Sequence, residues 1–250
     1  MSSSASPKSA LILGATGQTG LHLLRELIAS PTFTRVCEAG RRVTPKEDLP
    51  DLGENGNDKF EQKVIDFERL EEAELKEGNW DVVFITLGTT LKLAGSQENF
   101  TKIDKEYVVN AAKAAKVDKD QRLVYLSVVM ADPKSRNFYP RSKGLTEQAL
   151  AELGYKDTIV FRPGMLSNVQ RAERRFSESI ALGVTGILSW VSPRFQIDVR
   201  NAPPPSFPQR TQNVWLIALF FLRLTSSPKV FALPASKEPR GFQLVHRRRR

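Results

Sequence analysis

A short apolar run near the start of the chain leads into three glycines with the spacing G-x-x-G-x-x-G. Residues 11–20 read Leu-Ile-Leu-Gly-Ala-Thr-Gly-Gln-Thr-Gly, and an amphipathic stretch follows over residues 21–28. This order predicts a strand, a phosphate-binding loop and a helix. Gly14 permits the tight turn, Gly17 lets backbone N–H groups approach a pyrophosphate, and Gly20 lets the helix lie close to the sheet. An ordinary βα turn that binds nothing is the alternative.

Further apolar stretches alternate with helical patterns along the first two thirds of the chain. Strands are predicted over residues 34–39, 63–67, 81–87, 122–127 and 157–162. Helices are predicted over residues 68–77, 100–117 and 140–153, the last opened by Pro140 and closed by Gly154. This alternation predicts an α/β fold with a Rossmann-like, doubly wound parallel sheet and a small C-terminal lobe.

Length and composition predict one domain with extensions at both ends. A chain of 250 residues, 40% of them hydrophobic, is long enough to bury a full core. We expect a disordered N-terminus over residues 1–9, a single nucleotide-binding domain over residues 10–235 and a basic flexible tail over residues 236–250. Within the domain, residues 168–235 form an irregular, Pro-rich substrate lobe with a last short strand at residues 230–233.

Charge, cysteine content and hydropathy narrow the class of protein. The formal net charge is +9, and four of the basic residues are the terminal run at residues 247–250. The other basic residues are scattered without interleaved aromatic residues, so nucleic-acid binding is not predicted. No metal site is predicted either. Cys37 is the single cysteine, which indicates a reducing compartment. No secretory signal is expected in residues 1–10, and the apolar run 214–222 is too short to span a bilayer, which leaves peripheral membrane association open.

Two arginines follow the second predicted strand, where dinucleotide folds bind the adenosine ribose. A carboxylate at that place selects the ribose 2′-hydroxyl, whereas an arginine selects a 2′-phosphate. Arg41 lies 21 positions after Gly20, Arg42 follows it, and no acid occupies the place. Because guanidinium groups bind phosphate through charge-assisted, bidentate hydrogen bonds, the pair predicts NADP(H) and not NAD(H). Two solvated surface arginines are the alternative.

Other predicted cofactor contacts lie at the ends of the first, third and fourth strands. Asp66 and Phe67 end the third predicted strand, where a carboxylate and an aromatic edge would meet the adenine. The fourth strand ends close to the pyrophosphate and the ribose. The remaining predicted contacts are the glycine loop, Gly14, Ala15, Thr16, Gly17, Gln18, Thr19 and Gly20, and the end of the fourth strand, Leu87, Gly88 and Thr89.

Tyr139 and Lys143 are four residues apart at the start of a predicted helix and so lie one turn apart on one face. The ammonium would stabilise a tyrosinate and lower the pKa of the phenol, which makes a general acid for reducing a carbonyl. Ser127, 12 residues before Tyr139, is expected to hydrogen-bond the same substrate oxygen. The alternatives are a chance Tyr-x-x-x-Lys spacing, a serine that caps a turn, and a tyrosine that Pro140 keeps at the helix edge.

Five segments in this order, LGATGQTG, GRR, LGTT followed by AGS, YPRSKG and FRPGML, resemble the short-chain dehydrogenase/reductase superfamily. More narrowly they resemble its atypical branch, with the fungal Fmp52-type mitochondrial outer-membrane proteins and the animal Tat-interacting protein TIP30. The resemblance covers about residues 10–168. It implies NADP(H) held by the glycine loop and both arginines, and a cytosol-facing, peripheral location on the mitochondrial outer membrane. It also places Arg162, Pro163, Gly164 and Met165 beside the nicotinamide.

Two functions are compatible with these features. The first is an NADP(H)-dependent reductase of a small carbonyl substrate, with Tyr139 as proton donor and Lys143 and Ser127 as its partners. The second is a non-catalytic NADP(H)-binding scaffold that regulates a protein partner. The second draws on Val128, which stands where the relatives tend to carry a second serine, and on the regulatory members of the family.

Overall fold

The computed structural model describes residues 7–50, 58–163 and 242–248. Their strands form one sheet in the order β3-β2-β1-β4-β5-β6-β7, of which the first six are parallel and β7 is antiparallel to β6. The strands are β1 (Lys8–Leu13), β2 (Phe33–Gly40), β3 (Phe60–Val64), β4 (Val82–Ile85), β5 (Arg122–Leu126), β6 (Asp157–Pro163) and β7 (Phe242–Arg248). The predicted Rossmann-like fold is confirmed.

Helices cover both faces of this sheet. The α-helices are α1 (Gln18–Ala29), α2 (Leu91–Ala94), α3 (Gln97–Thr101), α4 (Tyr107–Ala114) and α5 (Phe138–Glu152). A π-helical segment, Lys102–Glu106, joins α3 to α4, so the single helix predicted over residues 100–117 contains a change of winding. Helix α5 begins two residues before Pro140, which places Tyr139 in its first turn, and Gly154 follows its end with φ of +76°.

Two apolar clusters hold these layers together, because successive residues of a strand point to opposite faces. In β1, Leu11 and Leu13 pack on the face that α4 covers, whereas Ala10 and Ile12 pack on the α1 face. All four are fully buried. The central strands β1 and β4 therefore contain runs of buried apolar residues, as parallel strands covered on both sides require, whereas the edge strand β3 has no buried residue. No helix in the part of the chain described here is long and apolar enough to cross a membrane.

Residues 68–77 do not form the predicted helix. They form successive turns instead, with hydrogen bonds such as that from the Ala73 N–H to the Leu70 carbonyl, and Glu74 has a φ of +49°. The indole of buried Trp80 donates to the Leu75 carbonyl at 3.0 Å, which takes an acceptor that a continuing helix would use. The charged side chains suit a helix surface, but the turn hydrogen bonds and the positive φ of Glu74 show a different local structure.

Three other boundaries differ from the sequence prediction. Strand β3 ends at Val64, three residues before the predicted end. Strand β1 begins at Lys8, inside the N-terminus predicted as disordered, and the Ser9 N–H donates to Asp81 at 2.7 Å. Strand β7 lies inside the tail predicted as flexible, because β6 offers an unpaired edge whose backbone groups β7 satisfies. The predicted lobe at residues 168–235, with its apolar run 214–222 and short strand 230–233, lies outside the described residues, as do Gly164 and Met165.

Candidate nucleotide-binding and active site

The glycine loop joins β1 to α1 at the carboxyl edge of the sheet. Gly14 has a φ of +90°, and a Cβ there would lie 2.5 Å from the Leu87 backbone nitrogen. A Cβ on Gly20 would lie 2.2 Å from the Gly14 carbonyl oxygen. Both positions therefore require glycine, as predicted, because the helix, the loop and the end of β4 approach closely here.

The amino terminus of α1 is open to an anion. No side chain caps it, no acidic residue lies in its first turn, and Thr16, Gly17 and Gln18 are exposed. Ala15 and Gly20 are buried beneath them and Thr19 is half-buried. The N–H groups of a first helical turn and the helix dipole together favour a phosphate at such a terminus. This arrangement fits the pyrophosphate of a dinucleotide.

Arg41 and Arg42 follow β2 at the same edge, and both are exposed. Within the described residues neither forms an ion pair with a carboxylate. The loop that carries Arg41 and Arg42 is held in place at both of its ends. The Gly40 carbonyl accepts from the Ile65 N–H at 2.9 Å, and Thr44 is buried.

Asp66 and Phe67 lie beyond the end of β3 and differ in their exposure. Phe67 is only 5% exposed and stacks on Tyr107 with ring centroids 5.2 Å apart, so its ring belongs to the core and presents no edge to an adenine. Asp66 is exposed and accepts from the Glu68 N–H. Of the two predicted adenine contacts, only Asp66 retains an accessible side chain.

The loop after β4 carries Leu87, Gly88 and Thr89 and contacts a buried carboxylate. Leu87 packs against the core, and the Thr89 N–H donates to Asp104 Oδ1 at 3.1 Å. A Cβ on Gly88 would lie 3.0 Å from Asp104 Oδ1 and 3.6 Å from Lys143 Nζ. The predicted ribose-binding segment and the predicted catalytic lysine are therefore neighbours.

Lys143 lies in a buried cluster of polar groups. Its ammonium is 2.8 Å from Asp104 Oδ2 and donates to the Tyr125 hydroxyl at 3.2 Å. Burial by itself opposes the charge, but Tyr125 and Asp104 outweigh it, so the pKa of Lys143 lies above its usual range. Burial also raises the pKa of Tyr125 to about 12. An ammonium has three donors, so Asp104 and Tyr125 leave one for a ligand.

Tyr139 lies one helical turn before Lys143, as the spacing predicts. It is half-buried, and its ring meets Phe100 edge-to-face with centroids 5.6 Å apart. The two side chains are close enough that Tyr139 contributes to raising the pKa of Lys143. The first two turns of α5 therefore bring together the two residues that the sequence pairs.

Ser127 is placed differently from its predicted role. Its hydroxyl is buried and donates to Glu147 Oε1 at 2.5 Å, and the same carboxylate binds Arg162 with N–O distances of 3.0 Å and 2.5 Å. A hydroxyl has one proton to donate, so in this arrangement Ser127 offers none to a substrate oxygen. Arg162 is likewise bound to Glu147, and Pro163 ends β6 with its carbonyl accepting from Val129.

Asp104, Tyr125 and Glu147 are the site residues that sequence reasoning missed. Asp104 lies on the helix face that carries Val108 and Ala111, Tyr125 lies within the apolar run of β5, and Glu147 lies one turn before Leu150 on α5. Buried carboxylates are costly unless paired, so an acid on the apolar face of a predicted helix is a usable signal. Asp104 also lies in the π-helical segment, a kind of winding frequent at functional sites.

The sheet order, the glycine loop and the uncapped helix define a Rossmann-type dinucleotide-binding protein. The match to a family of known proteins is equally direct. The chain belongs to the NAD(P)H-binding family, whose model matches residues 14–181.

Relatives confirm the narrower resemblance. The chain is 37% identical over 187 residues to Protein HTATIP2 of Rattus norvegicus, covering 74% of each chain. It is 34% identical to Protein FMP52-2, mitochondrial, of Scheffersomyces stipitis, covering 70% of this chain and 74% of the relative. A second fungal relative, Protein fmp52, mitochondrial, of Emericella nidulans, is 32% identical.

Solved structures agree on the fold. The chain is similar to Pal from Bacillus thuringiensis with a TM-score of 0.52 and 15% identity, over 72% of this chain and 64% of that one. It is also similar to the Bordetella bronchiseptica enzyme WbmG, solved in complex with NAD and UDP, with a TM-score of 0.51 and 16% identity. That match covers 66% of this chain and 55% of WbmG.

Proposed function

We propose that this protein is an NADP(H)-dependent reductase of a small carbonyl substrate. The observation that carries the proposal is the position of Tyr139 and Lys143 on the first two turns of α5, where Lys143 adjoins the Gly88 backbone. The glycine loop reaches the same edge, since Gly14 contacts the end of β4. A nucleotide on α1 would therefore extend toward Tyr139, as the carboxyl edge of a Rossmann sheet allows.

The residues divide the chemistry among them. When bound, a reduced nicotinamide supplies the hydride for a carbonyl carbon. Tyr139 is half-buried at the edge of the site, where a substrate can reach its hydroxyl. It donates its phenolic proton to the carbonyl oxygen. Lys143 uses its remaining donor for a ribose hydroxyl and stabilises the tyrosinate. Asp104 holds the ammonium in place and compensates part of its charge.

The nucleotide preference follows from Arg41 and Arg42. Both are exposed without carboxylate partners in the described part of the chain, and a 2′-phosphate would pair with them. We therefore expect NADPH to stabilise the protein more than NADH in a thermal-shift titration. A ligand at about 100 times its Kd adds roughly 2.7 kcal/mol, so a preference is easily resolved.

The Arg41→Ala variant is expected to remove this difference between the two nucleotides. The matched control is Arg35→Ala, since Arg35 lies on β2, which precedes Arg41, but pairs with Glu61 and packs over Trp80. The control should retain the preference for NADPH. Equal stabilisation of the unaltered protein by NADH would show that the arginine interpretation is wrong.

A second candidate function is a non-catalytic NADP(H)-binding scaffold that regulates a protein partner. It is favoured by the hydrogen bond from Ser127 to Glu147, which leaves no serine proton for a substrate oxygen. Stabilisation by NADPH without turnover across a panel of aldehydes and ketones would support it. Reduction of even one simple carbonyl by the purified protein would exclude it.

The location is part of the same proposal. Relatives that match most of this chain carry the word mitochondrial in their names. We place the protein on the cytosolic face of the mitochondrial outer membrane, attached peripherally. Such a place suits either a reductase or a regulator, so location does not decide between the two.

A further inference from the structure

Glu38 is a buried carboxylate on β2 with an unusual set of partners. It is 1% exposed and lies two residues before the end of the strand. Its Oε1 accepts from both the backbone N–H and the hydroxyl of Thr44, at 2.9 Å and 2.8 Å. Its Oε2 accepts from the Gln62 amide at 2.8 Å, and that amide also donates to the Thr44 carbonyl at 2.8 Å. All of these donors are neutral.

A carboxylate in this place is costly for the core. No lysine or arginine forms an ion pair with Glu38 among the described residues, and buried charges without a cation are strongly disfavoured. Val36, two positions earlier on the same face of β2, is fully buried and apolar. An apolar side chain would cost less free energy to bury at this position. We therefore attribute the presence of a carboxylate to its three hydrogen bonds and not to core packing.

Those hydrogen bonds fix the loop that carries the arginine pair. On one side of the pair, the Gly40 carbonyl accepts from the Ile65 N–H at 2.9 Å. On the other side, Thr44 is held at its N–H, hydroxyl and carbonyl by Glu38 and Gln62. Arg41 and Arg42 therefore sit on a short exposed segment between two fixed ends.

We propose that Glu38 is the positioning residue for recognition of the 2′-phosphate. Through Thr44 it holds the backbone of Arg41 and Arg42 in place before the anion binds. Preorganisation of this kind lowers the entropy cost of binding. The inference rests on the proposed NADP(H) function and adds to it a residue that does not touch the phosphate.

Electrostatic repulsion and positioning predict opposite changes in NADPH affinity when Glu38 is replaced, so the direction of the change tests the proposal. A carboxylate behind a phosphate site repels the phosphate, so neutralising Glu38 would tighten NADPH binding if electrostatics dominated. Positioning predicts weaker NADPH binding after the same change, because the loop loses its anchor. NADH lacks the 2′-phosphate, so its affinity is the internal reference in either case.

The experiment measures the Kd of NADPH and of NADH for the full-length protein and its variants by nucleotide fluorescence. For Glu38→Leu we expect the NADPH Kd to rise about tenfold while the NADH Kd changes by less than about twofold. Glu38→Gln should also raise the NADPH Kd, as Glu38→Leu does. The matched control is Glu61→Gln, an exposed glutamate in the same sheet, which should leave both constants unchanged.

Thr44→Val tests the same anchor if Glu38→Leu fails to fold. It keeps the side-chain shape and removes the hydroxyl that Glu38 binds, and it should also weaken NADPH selectively. A lower melting temperature with an unchanged ratio of the NADPH Kd to the NADH Kd would overturn the inference. Tighter NADPH binding, or a loss confined to NADH, would overturn it as well. Failure of the proposed function shows separately, since the unaltered protein would then bind neither nucleotide or bind both equally.

Discussion

The Tyr139→Phe variant should reduce carbonyls with NADPH at least about 100-fold more slowly than the unaltered protein, because general acid catalysis contributes 10²–10⁴-fold. The change removes one hydroxyl and leaves the ring that packs on Phe100. Folding and nucleotide affinity should therefore stay nearly constant. The loss should fall on kcat, since the proton is transferred only as the substrate oxygen gains charge.

The measurement is steady-state NADPH oxidation together with the Kd for NADPH. Tyr107→Phe is the matched control, because Tyr107 lies on α4 and its hydroxyl bonds Glu68 away from the catalytic helix. Ser127→Ala is informative in a different way. The Ser127 hydroxyl donates a hydrogen bond to Glu147, so we expect the Ser127→Ala variant to be less stable but to have nearly the same kcat. Undiminished turnover by Tyr139→Phe would remove Tyr139 from the mechanism.

The Asp104→Ala variant should lose about 3–5 kcal/mol of its free energy of unfolding, the usual cost of removing one partner from a buried ion pair. Asp104 is fully buried and Lys143 is 5% exposed, so water replaces little of the lost interaction. The change also removes the acceptor of the Thr89 N–H. Urea unfolding followed by circular dichroism would measure the loss.

Two further variants separate charge from packing at this pair. Asp104→Asn keeps an acceptor for Thr89 and should cost less than Asp104→Ala. Combining Asp104→Asn with Lys143→Met should recover part of the stability, because an uncompensated buried charge is then absent. A loss below about 1 kcal/mol for Asp104→Ala would show that the ammonium is stabilised chiefly by Tyr125 and other groups.

Several features of this protein follow from short stretches of sequence. The three glycines predict the turn after β1 from their spacing alone. The apolar runs predict the parallel sheet and its order of elements. The helical spacing of Tyr139 and Lys143 predicts their shared face. Each of these depends on local geometry, which neighbouring residues alone determine.

Other features depend on residues far apart in the chain. Glu147 lies 20 residues from Ser127, Asp104 lies 39 residues before Lys143, and Gln62 lies 24 residues from Glu38. Their contacts arise only once the sheet register and the docking of α5 are set. Residues 68–77 likewise form turns and not the predicted helix, and the Leu75 carbonyl there accepts from the indole of Trp80. Buried polar groups must find partners, and which partner each finds is decided by tertiary packing.

The amino-acid sequence by itself determined the class of fold, the nucleotide loop and the pairing of the tyrosine with the lysine, because local backbone preferences and side-chain periodicity suffice for those. Tertiary structure decided that Ser127 bonds Glu147, that Asp104 holds Lys143 and that Glu38 anchors the loop of the two arginines. The reason is that a hydrogen bond or ion pair requires two groups within about 3 Å of each other. For distant residues only the packed chain sets that distance.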